Sequence, residues 1–121
     1  MKHQHDEYRF FVYMMTNSSR RSIYTGFTSE LRFRVWQHKN HALSGFTDDY
    51  NVTRLVWFER YQYAKSGIAR DKQIKRWSRK KKILLIEQMN ASWKDLAGEW
   101  YPEAQGPSTR RVKDSRAPRS G

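Results

Sequence analysis

Residues Arg9 to Thr16, RFFVYMMT, form the first apolar run of the chain, and its aromatic, β-branched and flexible apolar side chains read as a strand. The polar cluster NSSRRS that follows is turn chemistry, and Ser22 to Thr28, SIYTGFT, is a second short strand. A hairpin is therefore expected across Asn17–Arg21. Ser29 is placed to cap a helix carrying Glu30 in its first turn, where the helix dipole favours negative charge, and this helix should run to about Lys39. After a polar loop, NHALSGFTDDYN, the run VTRLVWFERY reads as a third strand. Its residues Val52, Leu55, Val56, Trp57 and Phe58 are too continuous for strict alternation, which predicts burial on both faces and a central place in the sheet. Tyr63 to Trp77 is a second helix despite Gly67, and Ser78 opens a third, SRKKKILLIEQM, basic in its first half and apolar in its second. NASWKDLAGEWY predicts a turn and a short terminal helix with Trp93, Leu96 and Trp100 at helical spacing. From Pro102 onward there is no apolar pattern, and that segment is expected to be disordered.

The order β-β-α-β-α-α predicts an α+β fold, a small three-stranded antiparallel sheet flanked by helices. A chain of 121 residues fits one domain, taken as residues 1–100, followed by a basic tail at 101–121. Five Trp, seven Tyr and six Phe allow a small core to be built from a few large side chains. Cysteine is absent, which removes disulfides, thiolate metal sites and cysteine nucleophiles together and suits a reducing, cytoplasmic setting. No apolar run reaches the length of a membrane span, and the first ten residues, MKHQHDEYRF, contain no signal-peptide core. A cytoplasmic protein without a membrane partner is expected.

Charge narrows the class of partner. The 24 Lys and Arg against 12 Asp and Glu give a formal charge of +12, and residues 101–121 hold only +3 of it, which leaves +9 on residues 1–100. A domain basic in its own right concentrates polyanions, and nucleic acid is the first candidate, with anionic membrane or non-specific RNA binding as the plainer reading.

Two polar intrusions on apolar helix stripes supply candidate chemistry. In the first helix Leu31, Arg34, Val35 and His38 follow the i, i+3, i+4, i+7 pattern, so a guanidinium and an imidazole share the face that meets the sheet. In the second, Ala64, Ile68, Asp71 and Ile74 lie close to one face, and the Asp71 carboxylate needs a cation beside it. A structural role, Asp71 paired with Arg34 or Lys75, is one way to meet that need. Taken with the tyrosines of the two hairpin strands, these side chains are also the parts for phosphodiester hydrolysis. A phenol or imidazole activates water, a guanidinium stabilises charge on phosphoryl oxygens and a carboxylate holds a divalent metal.

FVY at 11–13, YTG at 24–26, Arg34 and His38 four apart, and the carboxylate in IARDKQIKRW together resemble the GIY-YIG nuclease superfamily. The similarity is greatest to its small stand-alone bacterial members, regarded as endonucleases, and covers about Tyr8 to Leu96 through FVYMMT, YTGFT, QHK, SGFTDDYNVTRLVWFE, ARDKQIKRWSRKKK and NASWKDL. The resemblance implies a GIY-YIG-like fold and a metal-dependent endonuclease acting on DNA by direct water attack. Its alternative is a weakly active or non-catalytic nucleic-acid-binding module on the same fold. Tyr13 and Tyr24 would jointly serve as general base or its relay, Arg34 would contact the scissile phosphate and His38 would position or deprotonate the water. Gly26 would be structural, letting the hairpin approach the helix. Asp71 stands where the family carries its metal-binding glutamate, and one divalent ion, Mg²⁺ or Mn²⁺, is implied. The aspartate is one methylene shorter, which is what keeps the alternative open. Lys39 and the run Lys72, Lys75, Arg76, Arg79, Lys80, Lys81 and Lys82 are candidate phosphate contacts around Trp77. His3 and His5 are expected to bind nothing.

Overall fold

The computed structural model describes residues 9–43, 45 and 50–100. The expected tail and the histidines at 3 and 5 lie outside these residues. The fold begins with β1 (Phe10–Thr16) and β2 (Ile23–Thr28), continues through α1 (Leu31–Lys39) and β3 (Arg54–Tyr61), and ends with α2 (Ala64–Lys75) and α3 (Arg79–Met89). The expected β-β-α-β-α-α order and three-stranded antiparallel sheet are present.

The hairpin turn is organised by one side chain. Asn17 Oδ1 accepts from the backbone N–H groups of Arg21 and Ser22 and from the Ser19 hydroxyl, while Arg20 takes a left-handed conformation at φ 65°. Asparagine favours such turns because its short amide imitates a backbone acceptor. The register that results sets Tyr13 opposite Gly26 and Met15 opposite Tyr24.

Strand order departs from expectation. The sheet runs β2-β1-β3, so β1 is central and β3 lies at an edge. The continuous apolar run in β3 has two other causes. Met14 pairs with Trp57 and Met15 with Leu55, leaving Val56 as an extra residue at a β-bulge, which lets Val56 and Trp57 join the same core. The outer edge of β3 is also covered: Leu55 N–H donates to Asp95 Oδ1, Leu55 C=O accepts from the backbone of Leu96, and Val56 C=O accepts from the Asn90 amide. A covered edge buries a strand as a neighbouring strand would.

The covering segment is not the expected terminal helix. Residues 91–100 form successive turns closed by bonds from Trp93 to Asn90, Gly98 to Asp95 and Trp100 to Ala97. Trp93 has φ 59°, which breaks a helix, and the segment's polar groups are directed to β3 instead. Two cores result. Val12, Met14, Val56, Trp57, Ile74, Ile86 and Trp93 fill the face under α2 and α3. Tyr13, Met15, Leu31, Val35, Val52, Leu55 and Ala97 fill the face under α1.

One helix start differs from expectation. Glu30, not Ser29, is the N-cap of α1, and it makes no side-chain cap bond; its N–H donates to Thr28 Oγ1 one residue earlier than the cap the sequence suggested. Ser78 caps α3 as expected, its hydroxyl accepting from Lys81 N–H.

Candidate active site

Tyr13 is fully buried at the centre of the sheet, and its ring has room because the residue across from it is glycine. A Cβ on Gly26 would lie 2.7 Å from the Tyr13 ring and hydroxyl. Gly26 therefore admits a cross-strand tyrosine, rather than bringing the hairpin close to the helix. The close approach to a helix belongs to Gly67, where a Cβ would meet the Phe27 ring at 2.7 Å. Gly67, Asp71 and Ile74 form the buried stripe of α2, whereas Ile68 is 40% exposed and faces out. The sequence reading treated Gly67 as a weakness of the helix. An isolated glycine within a helical pattern is also the sign of close packing, and that signal locates the α2–β2 contact.

α1 presents Leu31, Val35 and His38 inward, as its spacing predicts. The Tyr13 hydroxyl and His38 Nε2 lie 3.0 Å apart. The Tyr24 ring completes the group at 5.3 Å from the imidazole and 6.0 Å from the Tyr13 ring. The fold thus gathers Tyr13, Tyr24 and His38, with Arg34 near enough to act electrostatically on both Tyr13 and His38. Arg34 Nε and His38 Nδ1 are buried and make no hydrogen bond. Both are donors or acceptors available to a group that enters the site.

Electrostatics fix the protonation of this group. Burial, then the neighbouring Tyr24, raises the Tyr13 phenol well above its ordinary value, so it stays a hydroxyl at neutral pH. Burial, then the Arg34 charge, lowers His38 from 6.5 to about 4, so the imidazole is neutral there. A neutral imidazole can take a proton, and the phenol beside it can hold or pass one.

The lowered His38 has a consequence for stability. Between about 4 and 6.5 the unfolded chain binds this proton and the folded chain does not, so stability is present above pH 6.5 and lost as pH falls toward 4. The loss is on the order of 3 kcal/mol, at about 1.4 kcal/mol per unit. Melting temperatures between pH 7 and 4 are expected to fall steeply for the wild type, and His38→Gln should flatten this limb.

Asp71 lies on the buried stripe of α2, 8% exposed, with Oδ2 bonded to Lys75 Nζ at 3.0 Å and Oδ1 buried without a partner. Of its two expected structural partners, Lys75 is the one found, an i,i+4 pair on the same helix. Among the described residues no three His, Cys, Asp or Glu side chains gather around a common point.

The basic residues divide into two groups. Lys39 donates to Thr53 C=O and to Asp95 Oδ2, tying the end of α1 to the covering segment, and it is half-buried there. Arg79 donates to the carbonyls of Arg20 and Arg21 at the hairpin turn. Lys39, Lys75 and Arg79 thus make bonds within the fold, while Lys75 and Arg79 remain exposed. Lys72, Arg76, Lys80 and Lys81 are exposed and Lys82 is partly so. Trp77 lies within this run, its ring 5.2 Å from the Arg70 guanidinium and 4.3 Å from Lys81 Nζ.

Sequence reasoning missed Asp95, which bonds Leu55, Ala97 and Lys39, and the hydroxyl of Thr25, which is buried and unpartnered. The phrase SWKDL carried the first; nothing in local pattern carried the second.

The chain is similar to several known proteins. UPF0213 proteins from Staphylococcus aureus, among them those of strains N315 and COL, are 31% identical over 78 residues, covering 64% of this chain and 94% of theirs. The solution structure of a UPF0213 protein from Bacillus halodurans aligns at a TM-score of 0.47 and 22% identity, over 71% of this chain and 90% of that one. A family profile described as the GIY-YIG catalytic domain matches residues 9–83, from the first strand of the hairpin into α3. The match takes in both signature strands and the helix bearing Arg34 and His38, and the chain belongs to the GIY-YIG family.

Proposed function

We propose that this chain is a nucleic-acid-binding module on a GIY-YIG fold, with DNA as its main partner, and that its hydrolysis of phosphodiester bonds is weak. The observation that carries this reading is the state of Asp71. The carboxylate is the shorter of the two acidic side chains, its Oδ2 is engaged by Lys75, and it is nearly buried. A cation already beside a carboxylate lowers its pull on a second one.

The chemistry of the donor set still suits a hard divalent ion. Asp71 Oδ1 is an unpartnered carboxylate oxygen, and Mg²⁺ commonly binds through one or two carboxylates with waters and substrate oxygens completing its shell. Such an ion, Mg²⁺ or Mn²⁺, would neutralise charge on the leaving oxygen. The other groups belong to the chain itself. Arg34 would stabilise charge on the phosphoryl oxygens, His38 would accept the proton of an attacking water, and Tyr13 and Tyr24 would hold that imidazole in place and relay the proton. Lys72, Arg76, Lys80, Lys81 and Lys82 would follow the phosphate backbone, with Trp77 beside them; the exposed Lys75 and Arg79 would add to this face, while Lys39 is half-buried against Asp95.

The second reading, an efficient metal-dependent endonuclease, is favoured by the Tyr13–His38 bond and the nearby Arg34. Nicking of supercoiled, branched and single-stranded DNA in Mg²⁺ and Mn²⁺ separates the two. Wild type is expected to bind DNA and nick it slowly. Asp71→Glu restores the longer reach and should raise the metal-dependent rate by about tenfold, equivalent to about 1.4 kcal/mol, while Asp71→Asn should remove metal dependence. A wild type already as fast as Asp71→Glu would establish the efficient endonuclease. A wild type that does not bind DNA would sink both readings.

A further inference from the structure

Among the described residues two buried side-chain oxygens lack a hydrogen-bond partner, Thr25 Oγ1 and Asp71 Oδ1, and the residues bearing them are 4% and 8% exposed. A buried polar atom without a partner costs about 1–3 kcal/mol. These two oxygens, unlike the unpartnered nitrogens of α1, invite the question of what they face.

They belong to elements that pack directly. Gly67 of α2 lies against the ring of Phe27 on β2, which fixes one point of contact. Thr25 is two residues before Phe27, so it projects to the same side of the sheet. Its register partner Met14 belongs to the core under α2 and α3, which assigns the same side independently. On the helix, Arg70 leans toward β3, where it binds Glu59 at 3.0 Å. Asp71 is about 100° further round the helix, which turns it away from β3 and toward β2. Along the helix Asp71 is four residues, about 6 Å, beyond Gly67. Along the strand Thr25 is two residues, about 6.8 Å, from Phe27. Near its start α2 meets Phe27 and Tyr61 at Gly67, and just past its end Arg79 bonds the carbonyls of Arg20 and Arg21 at the hairpin turn, so the helix advances along the sheet in the direction that leads from Phe27 to Thr25.

We infer that Thr25 supplies a second oxygen, beside Asp71 Oδ1, to a divalent cation held between β2 and α2. A hydroxyl and a carboxylate are both hard oxygen donors of the kind Mg²⁺ and Mn²⁺ select. The pairing also bears on the short aspartate, since a carboxylate that reaches less far from the helix is met by a donor from the strand. The inference rests on the metal reading above and adds to it a residue of the hairpin, next to Tyr24. A buried water joining the same two oxygens is the competing occupant.

The test uses the full chain and metal alone, without DNA. Mg²⁺-induced amide shifts and Mn²⁺ broadening in NMR spectra give a dissociation constant for wild type, Thr25→Val, Thr25→Ser and Asp71→Asn. Thr25→Val keeps the shape of the side chain and removes the oxygen. It is expected to weaken metal binding by about tenfold, within the range of 10–100-fold seen when a supporting group of a metal site is removed. Thr25→Ser should retain wild-type affinity, and Asp71→Asn should abolish binding. In metal-free buffer Thr25→Val should melt no lower than wild type, because an unpartnered hydroxyl is lost. Equal affinities for wild type and Thr25→Val would overturn the inference and leave Asp71 as the metal residue. So would a metal-free Thr25→Val that melts lower with unchanged affinity, the signature of a bound water. A wild type that binds no metal overturns it as well, while DNA binding measured on the same sample would still decide the binding-module reading separately.

Discussion

Arg34→Ala is expected to lower whatever nicking rate the chain shows by about 10²–10³, the usual cost of losing a donor aimed at charge that develops in a transition state. Fold and DNA affinity should survive, for reasons visible in the site. Arg34 Nε makes no hydrogen bond within the fold, and the guanidinium acts on His38 through its charge and on Tyr13 through its charge and a hydrogen bond. Removing it leaves in place the inward face of α1, which is Leu31, Val35 and His38. A second readout distinguishes a catalytic role from general damage. The Arg34 charge is one of the two causes that lower His38, so in Arg34→Ala the imidazole should titrate at higher pH than about 4. Nicking assays, melting curves and imidazole NMR titration check the three parts together. A rate unchanged in Arg34→Ala would remove this residue from the proposed machinery.

Salt should have an effect of similar size on binding. If Lys72, Arg76, Lys80 and Lys81 neutralise about four phosphates, the logarithm of affinity falls against the logarithm of salt with a slope of about −3.6, and raising salt from about 50 to 200 mM costs about 10² in affinity. Alanine at any one of these positions should reduce the slope by about 1 and weaken binding across sequences alike. Alanine at Lys39 should instead lower the melting temperature and leave the slope unchanged, since its ammonium holds Asp95 and Thr53 C=O. Fluorescence anisotropy with a short duplex and with a single strand measures both. An affinity indifferent to salt would exclude the electrostatic interface.

The parts of this fold that could be read from sequence are those set by neighbours in the chain. The hairpin was legible because Asn17 and the polar residues after it act within five positions, and Ser78 was legible as a cap because its acceptor lies three residues away. Strand order was not, because the run in β3 owes its burial to a bulge opposite β1 and to a cover about 40 residues downstream. The spacing of Trp93, Leu96 and Trp100 suggested a helix, yet these side chains divide between two cores, which a single helix face cannot reach. In the site, the colinear tyrosines, Arg34 and His38 were legible as a family pattern. The use of Lys39 and Arg79 inside the fold was not, because a basic residue shows its partner only after distant carbonyls and carboxylates have been brought to it.

The covering segment also sets where the domain can be cut. The family match stops at residue 83, but Ile86 and Trp93 complete one core and Ala97 the other, while Asp95 and Leu96 satisfy the outer edge of β3. A fragment ending with the match would expose apolar surface on both faces of the sheet and a bare strand edge, a combination that favours self-association. For this chain the smallest autonomous folding unit therefore reaches at least to Ala97, and the recognisable motif is shorter than the object that folds.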